Sequence, residues 1–402
     1  MRTGLFPGGW TDFEEGQVVR VRPGGGMAAE GEALVDLDDL LEAVEPGHRI
    51  VLADGQVEVL ASDKKAGAII GEVRRGGRVA DRKGVHLPDS PVQYELPTQD
   101  DRAFIDFASG EGVDMLGLSF VGSASDIETI RRLAPGLVLV SKIERIVALE
   151  NLDEILAASD GVMVARGDLG VELDLEQLPI AQKSLIQASL QAGKFTITAT
   201  EMLESMISSS RPTRAEVTDV ANAILDGTDA VMLSAETAVG QYPVETVATA
   251  ARVAEAVERS PRYLNMPRSQ FRRSEPDFSN AVAMAAVHIT EALKLRRIVC
   301  FTETGNTVRL ISRYRPEAEI LALSPNRNTV RRMTALAAVR PILFGREPGL
   351  EDMMHMAAEM LESRGLVQRG EEVVFVAGVP PGIARTTNLI KLHRIGEEVK
   401  LT

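Results

Sequence analysis

The sequence predicts an α/β protein whose central part is a series of β/α units with parallel strands. Two observations support this prediction. From about Pro97 to Arg259, apolar strand-like runs are repeatedly followed by helical stretches. A length of 402 residues exceeds what one small core needs, so the series has room for further domains on either side.

The elements are predicted in chain order. From Phe6 to about His86, short β-rich segments are interrupted by glycine, which indicates a small β domain. Amphipathic segments such as Ile146 to Ala158 and Thr213 to Leu225 predict helices of the central part. The five strands predicted there are Val113 to Phe120, Leu137 to Glu144, Gly161 to Asp168, Phe195 to Met202 and Ala230 to Thr237.

The last third of the chain predicts a separate α/β domain. Tyr263 to Asp277 is polar and without periodicity, as expected of a linker. A helix from Ser279 to Leu293 follows, with strands at Arg297 to Phe301, Glu319 to Leu323 and Glu372 to Val376. We therefore predict three domains: a small β domain at 1–90, a β/α domain at 91–262 and a C-terminal α/β domain at 278–402.

Composition narrows the possible functions. The chain has 44 basic and 58 acidic residues, and the net charge of −14 gives no electrostatic footprint for nucleic acid. No apolar run approaches the roughly 20 residues that a membrane-spanning helix needs. Cys300 is the one cysteine, and the first residues do not resemble a signal peptide, so we expect a cytoplasmic location.

Charged side chains near two predicted strand ends suggest a metal-assisted site. Lys142 and Glu144 are two residues apart in one strand and therefore share a face. Asp168 ends the next predicted strand and is flanked by glycines that allow a ligand to approach the backbone. Two carboxylates at neighbouring strand ends suit Mg²⁺, which completes its shell with substrate oxygens and water. The alternative is an ion-pair network that only ties the strands together.

The motifs around these residues resemble those of the pyruvate kinase family. Seven segments match that family's signatures and follow one another in the family order. They are Lys83 to Pro88, Ser141 to Glu144, Met163 to Glu172, Ala199 to Met206, Arg211 to Glu216, Asp219 to Gly227 and Met232 to Ala238.

The resemblance implies both a fold and a reaction. The fold is a partial (β/α) TIM-type barrel with an inserted, lid-like small β-barrel domain and a C-terminal regulatory-type α/β domain. The reaction is phosphoryl transfer between phosphoenolpyruvate and ADP, giving pyruvate and ATP. The implied metal cofactor is Mg²⁺.

The resemblance also implies roles for individual residues. Lys142 stabilises charge on the transferring phosphoryl group and the enolate oxygen. Glu144 and Asp168 bind Mg²⁺. The N–H groups of Gly167 and Asp168 hold the substrate carboxylate together with the Thr200 hydroxyl, and Thr200 is also a catalytic residue that assists proton delivery.

Further positions match the family less specifically. Ser119 and Ser234 correspond to positions close to the substrate, although either hydroxyl could instead bond to the backbone. Glu201 replaces the amide usual beside this threonine. In the C-terminal domain, the loop after a strand could bind an effector phosphate, or could only cap the following helix. Its candidate residues are Thr302, Thr304, Gly305, Asn306 and Thr307.

One departure from the family concerns the barrel itself. Residues similar to Arg2-Thr3-Gly4 follow the third barrel strand in the family, so we expect that the first three strands have no counterpart here. Those strands normally supply ligands of the phosphoryl group and of K⁺, so K⁺ is a possible cofactor whose usual ligands are missing. Five parallel strands leave two open edges. We expect a homo-oligomer, a partner that supplies strands, or an upstream start.

Two other functions remain open on the sequence. The chain could keep only the enolate chemistry, as a Mg²⁺-dependent 2-oxo acid lyase or decarboxylase. It could also be a non-catalytic subunit of a complete pyruvate kinase.

Overall fold

The computed structural model describes residues 1–53, 55–90, 92, 96–264, 277–347, 349–380 and 387–400. Most of the predicted linker, residues 265–276, lies outside the described residues. The predicted domain boundaries stay predictions. No helix in the described ranges is long and apolar enough to span a bilayer.

The first part of the chain is built from short strands. They are β1 (Trp10–Phe13), β2 (Val18–Pro23), β3 (Glu32–Val35), β4 (Arg49–Leu52), β5 (Val57–Lys65), β6 (Ala68–Arg75), β7 (Gly77–Ala80) and β8 (Val85–His86), with helix α1 (Leu40–Ala43) after β3. A six-stranded sheet has the order β3-β2-β6-β5-β4-β8, and β1 pairs with β7. Alternate residues such as Val19 and Val21 of β2 face a core that lies within this part.

The central part is a five-stranded sheet surrounded by helices. Its strands are β9 (Met115–Leu118), β10 (Val138–Ile143), β11 (Gly161–Ala165), β12 (Phe195–Ala199) and β13 (Ala230–Val231). All of its pairings are parallel, and the order β13-β12-β11-β10-β9 follows the chain. Every residue of β11 is buried, as expected when helices cover a parallel sheet. The prediction of serial β/α units is confirmed.

Helices connect these strands. They are α2 (Gln99–Gly110), α3 (Ala124–Leu133), α4 (Ile146–Glu150), α5 (Leu152–Ala158), α6 (Arg166–Glu172), α7 (Leu178–Ala192), α8 (Arg214–Asp226), α9 (Ala235–Ala238), α10 (Pro243–Glu258) and α11 (Pro261–Leu264). The helix predicted from Ile146 to Ala158 is two helices, because Asn151 leaves helical geometry between them.

The predicted strands are too long at their carboxyl ends. The strand predicted to reach Asp168 ends at Ala165, and Asp168 lies in the first turn of α6. A carboxylate is favourable there because N–H groups at a helix start have no partner within the helix. The strand predicted from Ala230 to Thr237 comprises two residues and is followed by α9.

The C-terminal part is a second five-stranded sheet with helices. Its elements are α12 (Phe278–Ala292), β14 (Arg297–Phe301), α13 (Asn306–Ser312), β15 (Glu319–Ser324), α14 (Arg327–Arg332), β16 (Val339–Leu343), α15 (Leu350–Ser363), β17 (Glu372–Gly378) and β18 (Thr387–Arg394). The order is β16-β15-β14-β17-β18, and β18 runs antiparallel to β17. The predicted α/β domain is confirmed, and β16 and β18 were not predicted.

The central and C-terminal parts pack against each other. One cluster of buried apolar side chains includes Ile143 and Val164 of the central sheet and Ile298 and Ile320 of the C-terminal sheet. Between the two parts, the buried Arg315 forms an ion pair of 2.9 Å with Asp229, which precedes β13. The C-terminal part thus contacts the central sheet at the amino-terminal ends of its strands. The carboxyl ends of the same strands carry the polar residues of the candidate site.

Candidate active site

The carboxyl ends of β9 to β12 bring most of the predicted site residues to one edge of the sheet. Ser141 of β10 pairs with Leu118 of β9, so Lys142 lies beside Ser119. Ala165 of β11 pairs with Ala199 of β12, so the start of α6 lies beside Thr200. Parallel strands therefore align these polar side chains, as expected of a β/α barrel mouth.

Lys142 joins two neighbours at this edge. Its Nζ donates a hydrogen bond of 2.9 Å to Oγ of Ser119 and forms an ion pair with Oε1 of Glu144. The lysine stem passes over Gly117 of β9, where a Cβ would lie in ordinary van der Waals contact, 3.8 Å from Cδ of Lys142. The lysine side chain is 26% exposed, so a fixed ammonium group faces the open edge.

Glu144 is the most deeply buried acid of the site. Its side chain is 1% exposed, and Oε2 accepts a hydrogen bond of 2.6 Å from the N–H of Phe120. Burial raises the pKa of this carboxyl group, Lys142 and the Phe120 N–H oppose the rise, and the charge of Asp168 adds to it. Asp168 is thus close enough to Glu144 for the two carboxylates to repel each other.

Asp168 also faces the small β domain. Its Oδ1 lies 3.7 Å from Nε2 of His86, a buried residue of β8. The ring of His86 lies 6.4 Å from that of Phe120, which follows β9. The β domain therefore contributes a wall of the site, and sequence analysis did not select His86 because its position is set by the packing of two domains.

Gly167 and Thr200 are bonded to each other. The N–H of Gly167 donates a hydrogen bond of 2.9 Å to Oγ1 of Thr200, whose hydroxyl donates to the Ala199 carbonyl at 2.7 Å. Thr200 and the exposed Glu201 both have left-handed backbone geometry, with φ of +67° and +53°. Such geometry is uncommon for residues other than glycine and costs free energy, so neighbouring contacts must maintain it.

Arg166 supplies those contacts and is a residue that sequence analysis did not select. Its guanidinium donates to the carbonyls of Ala199 at 3.1 Å and Thr200 at 2.5 Å. The same group pairs with Asp219 of α8 at 2.5 Å. Its place directly after a buried strand was the signal that could have identified it as a residue that positions the Thr200 loop.

Ser234 is placed apart from this cluster. Its N–H donates a bond of 2.7 Å to Oε2 of Glu236, a fully buried acid whose Oε1 accepts from the N–H of Leu203. Among the described residues, no hydrogen bond joins the Ser234 hydroxyl to Lys142 or Thr200. The structure therefore brings together Lys142, Ser119, Glu144 and Asp168 in one group, and Gly167 and Thr200 beside it.

The donor set fits a hard divalent cation. Glu144 and Asp168 are two carboxylates with repelling charges, which a cation between them would relieve. Within the described ranges, no group of three or more His, Cys, Asp and Glu residues is placed to hold a metal ion, so these two acids are the protein ligands on offer here. An ion bound here would take its remaining ligands from substrate and water.

The predicted effector loop is largely occupied by its own contacts. Oγ1 of Thr302 accepts the N–H of Gly305 at 2.9 Å, and Oγ1 of Thr307 lies 2.5 Å from that of Thr387. Asn306 accepts a bond of 2.7 Å from Arg309, whereas Thr304 is exposed. These bonds suit the loop's role as a helix start, and effector binding stays a prediction.

Family comparisons match the chain in two segments. The family model described as "Pyruvate kinase, barrel domain" matches residues 1–247. The model described as "Pyruvate kinase, alpha/beta domain" matches residues 280–393.

Individual relatives cover nearly the whole chain. A protein of Methylorubrum extorquens named pyruvate kinase is 40% identical over 399 residues, which is 99% of this chain and 84% of the relative. One of Geobacillus stearothermophilus with the same name is 39% identical over 404 residues, 99% of this chain and 69% of the relative. One of Mycobacterium tuberculosis, also so named, is 36% identical over 406 residues, 99% of this chain and 84% of the relative.

Proposed function

The chain belongs to the pyruvate kinase family, and we propose that the site at the carboxyl edge of the central sheet transfers a phosphoryl group from phosphoenolpyruvate to ADP. The products are pyruvate and ATP. The main support from the structure is the group formed by Lys142, Glu144 and Asp168, in which a fixed ammonium lies beside two acids.

Lys142 is the residue we assign to charge stabilisation. Its ammonium is anchored by Glu144 and Ser119, so no reorganisation is needed when negative charge develops nearby. In phosphoryl transfer that charge lies on the phosphoryl oxygens, and in the enolate of pyruvate it lies on the oxygen at C2. One fixed cation can serve both because the two oxygens belong to the same small ligand.

Glu144 and Asp168 are the residues we assign to Mg²⁺. When bound, the ion supplies Lewis-acid stabilisation of substrate oxygens. Glu144 is oriented for this role by the Phe120 N–H, and Asp168 by its place at the start of α6. K⁺ is a general requirement of the family, and a K⁺ site in this chain stays a prediction.

Gly167, Asp168 and Thr200 are assigned to the substrate carboxylate. The Gly167 N–H is bonded to Oγ1 of Thr200, so a carboxylate that binds this N–H would replace that bond. Arg166 would keep the Thr200 loop in place during that exchange. The Thr200 hydroxyl would then lie beside the reacting carbon, where it could pass a proton through water.

Ser119 and Ser234 have supporting roles in this scheme. Ser119 fixes the direction of the Lys142 side chain through its hydroxyl. Ser234 is held by Glu236 at the start of α9, and we assign it to the outer part of the substrate site.

The expected cytoplasmic location stays a prediction.

We also propose that further strands cover the two outer strands of the central sheet. In the described residues, β9 pairs only with β10, and β13 only with β12. The covering strands could come from a second copy of the chain, a partner, or a longer form of the chain. Light scattering after size-exclusion chromatography would detect the first two, since the mass would exceed 43.4 kDa.

A coupled assay tests the main proposal. Purified protein is supplied with phosphoenolpyruvate, ADP, Mg²⁺ and K⁺, and both pyruvate and ATP are measured. Equal amounts of the two products are expected. Pyruvate without ATP would mean that the phosphoryl group passes to water and would contradict the proposal. Neither product, together with exchange of the pyruvate methyl protons in deuterated water without ADP, would favour the lyase-type alternative. Neither product and no exchange, with or without copurifying proteins, would favour a non-catalytic subunit.

A further inference from the structure

The two acids of the candidate site differ in how the central part holds their side chains. Glu144 accepts the Phe120 N–H at one oxygen and pairs with Lys142 at the other. Asp168 is 35% exposed, and among the described residues no hydrogen bond reaches its carboxylate. The start of α6 places Asp168 at the site but does not fix the direction of its side chain. Ordering this side chain on binding a ligand would cost conformational entropy unless a neighbour has already oriented it.

A partner for this carboxylate comes from the small β domain. Nε2 of His86 lies 3.7 Å from Oδ1 of Asp168, within ion-pair distance and slightly beyond a direct hydrogen bond. Within the described ranges, this is the ion pair that Asp168 forms. An imidazole with its proton on Nε2 points an N–H at the carboxylate whether the ring is neutral or charged. His86 can therefore orient Asp168 without any change of protonation.

The position of His86 is itself well determined. The residue is 5% exposed, and its backbone pairs with Val51 where β8 joins β4. The carbonyl of Gly84, two residues earlier, accepts the N–H of Ala53 at 2.9 Å. A buried side chain on a paired strand has already lost its conformational freedom, so it can direct a neighbour at little further cost.

The same imidazole ring also packs on the support of Glu144. The rings of His86 and Phe120 lie 6.4 Å apart and are inclined by 40°, within the range of aromatic contacts. Phe120 has left-handed backbone geometry, with φ of +56°, which is costly for a bulky residue and must be maintained by its contacts. Its N–H is the donor that binds Glu144 at 2.6 Å. His86 thus acts directly on Asp168 and, through Phe120, on Glu144.

A separate contact keeps the β domain against this edge of the central sheet. The side chain of Val92 packs in the core of the β domain, and its carbonyl accepts a hydrogen bond of 3.1 Å from Nη2 of Arg145. Arg145 directly follows Glu144 in the chain. The approach of His86 to Asp168 is therefore supported by a second contact between the same two parts.

We propose that His86 is a positioning residue of the cation site, which directs the Asp168 carboxylate and supports the backbone N–H that holds Glu144. This inference rests on the proposed role of the two acids in binding Mg²⁺. It goes beyond that role because it makes a residue of the β domain a determinant of metal affinity. His86 acts through the acids, so its loss should weaken metal binding more than the chemical step.

Mn²⁺ titrated alone into the full chain, and followed by electron paramagnetic resonance at one pH, tests this inference. His86→Leu keeps an apolar side chain against Phe120 but removes the N–H. We expect the Kd of Mn²⁺ to rise about tenfold, a loss typical when a group that orients a metal ligand is removed. His86→Gln places an amide N–H near the position of Nε2 and should recover most of the loss. An unchanged Kd in His86→Leu, or an equal loss in His86→Gln, would overturn the proposal.

His48→Leu is the matched control in the same β domain. Nδ1 of His48 lies 3.0 Å from Oγ of Ser90 and accepts the Glu45 N–H at 3.1 Å, so this histidine is bonded within its own part of the chain. We expect its variant to bind Mn²⁺ as the original chain does. An equal rise in Kd in His48→Leu and His86→Leu would show a general loosening of the β domain and would contradict a specific role of His86.

Two further measurements distinguish a failure of this inference from a failure of the proposed function. If Glu144→Gln loses Mn²⁺ and His86→Leu does not, the metal site stands and the role of His86 is wrong. If Glu144→Gln binds as the original chain does, the proposed metal site fails and the inference fails with it. In the coupled assay, His86→Leu should raise the Mg²⁺ concentration that gives half the maximal rate. A fall in kcat without that rise would contradict a positioning role.

Discussion

At the scale of single residues, the site depends on one buried acid with two different partners. Glu144 binds a backbone N–H through one oxygen and the Lys142 ammonium through the other. Each contact opposes the effect of burial, which raises the pKa of the carboxyl group. The lysine therefore both opposes the rise in the pKa of Glu144 that burial causes and presents a cation to the ligand.

Replacement of Lys142 by methionine tests its role directly. We expect kcat to fall by about 10²- to 10³-fold, the loss typical of a removed charge-stabilising donor. The coupled assay measures this, and circular dichroism checks that the fold is kept. Lys183→Met is the control, since Lys183 is an exposed residue of α7 that pairs with Asp226 at the end of α8, outside the candidate site. A variant with nearly full activity would rule out the assigned role.

The raised pKa of the Glu172 carboxyl group gives a prediction about how stability depends on pH. Burial raises the pKa of its carboxyl group, and the charge of Asp168 adds to the rise, against the Ile146 N–H and Arg145. The contribution of Glu172 to stability is therefore complete below the ordinary glutamate pKa of about 4.3 and is lost as pH rises through its raised value.

Glu172→Gln should consequently gain stability relative to the original chain as pH increases from about 4 to 7. Glutamine cannot ionise and can still accept the Ile146 N–H. Urea unfolding of the metal-free protein at several pH values measures the difference. Glu150→Gln, at an exposed position, is the control. If the difference in free energy of unfolding between Glu172→Gln and the original chain stays constant with pH, the assignment is wrong.

At the scale of elements, helix starts were easier to predict than strand ends. Thr213 accepts the N–H of Glu216 at 3.2 Å, and the Glu216 side chain accepts the N–H of Thr213 at 2.7 Å. This reciprocal capping box fixes the beginning of α8 near the residue where the sequence predicted it. By contrast, the helix α6 begins directly after β11 without a turn, so apolar periodicity extended the strand too far.

Thr213→Ala is expected to lower the free energy of unfolding by about 1 kcal/mol, because the N-cap bond is lost. Thr218→Ala is a matched control in the same helix, where the hydroxyl donates only to the Arg214 carbonyl. Calorimetry should therefore give a lower unfolding temperature for Thr213→Ala than for Thr218→Ala. Equal unfolding temperatures would show that the cap does not stabilise α8.

The sequence predicted the members of the site better than their contacts. Lys142, Glu144 and Asp168 were identified because polar residues at strand ends and the family motifs coincide. The bond between Gly167 and Thr200 was not predicted, since it depends on the left-handed geometry of Thr200 that Arg166 maintains. His86 was missed as a site residue because only the packing of β8 against the barrel mouth brings it to Asp168.

At the scale of the whole molecule, strands were missed where their sequence is unusual. The strand β16 contains Arg340 and Pro341, which disfavour a strand assignment, and it forms an edge of its sheet. The antiparallel β18 pairs with β17, a partner that no local pattern specifies. The serial parallel units of the central part were predictable because each consists of neighbouring residues.

The ion pair between Arg315 and Asp229 should be important for the whole molecule. Both side chains are buried at the contact between the two sheets, with 2% and 3% exposure. Arg315→Met leaves Asp229 buried without its cation, so we expect a loss of about 3–5 kcal/mol. Arg331→Met breaks the more exposed pair with Asp114 and should cost at most about 1 kcal/mol.

Denaturant unfolding followed by tyrosine fluorescence and by circular dichroism compares the two variants; Tyr314 directly precedes Arg315. Because a chain of several domains need not unfold in one step, both signals are required. A smaller loss in Arg315→Met than in Arg331→Met would show that the interdomain contact does not depend on this pair.

Metal binding tests the central claim most directly. Mn²⁺, which replaces Mg²⁺ and is visible by electron paramagnetic resonance, is titrated into metal-free protein with phosphoenolpyruvate present. We predict one bound ion per chain, weakened at least about tenfold in Glu144→Gln and in Asp168→Asn. Asp114→Asn, at the opposite end of the sheet, should bind as the original chain does. Unchanged binding in either site variant would contradict a cation held between these two acids.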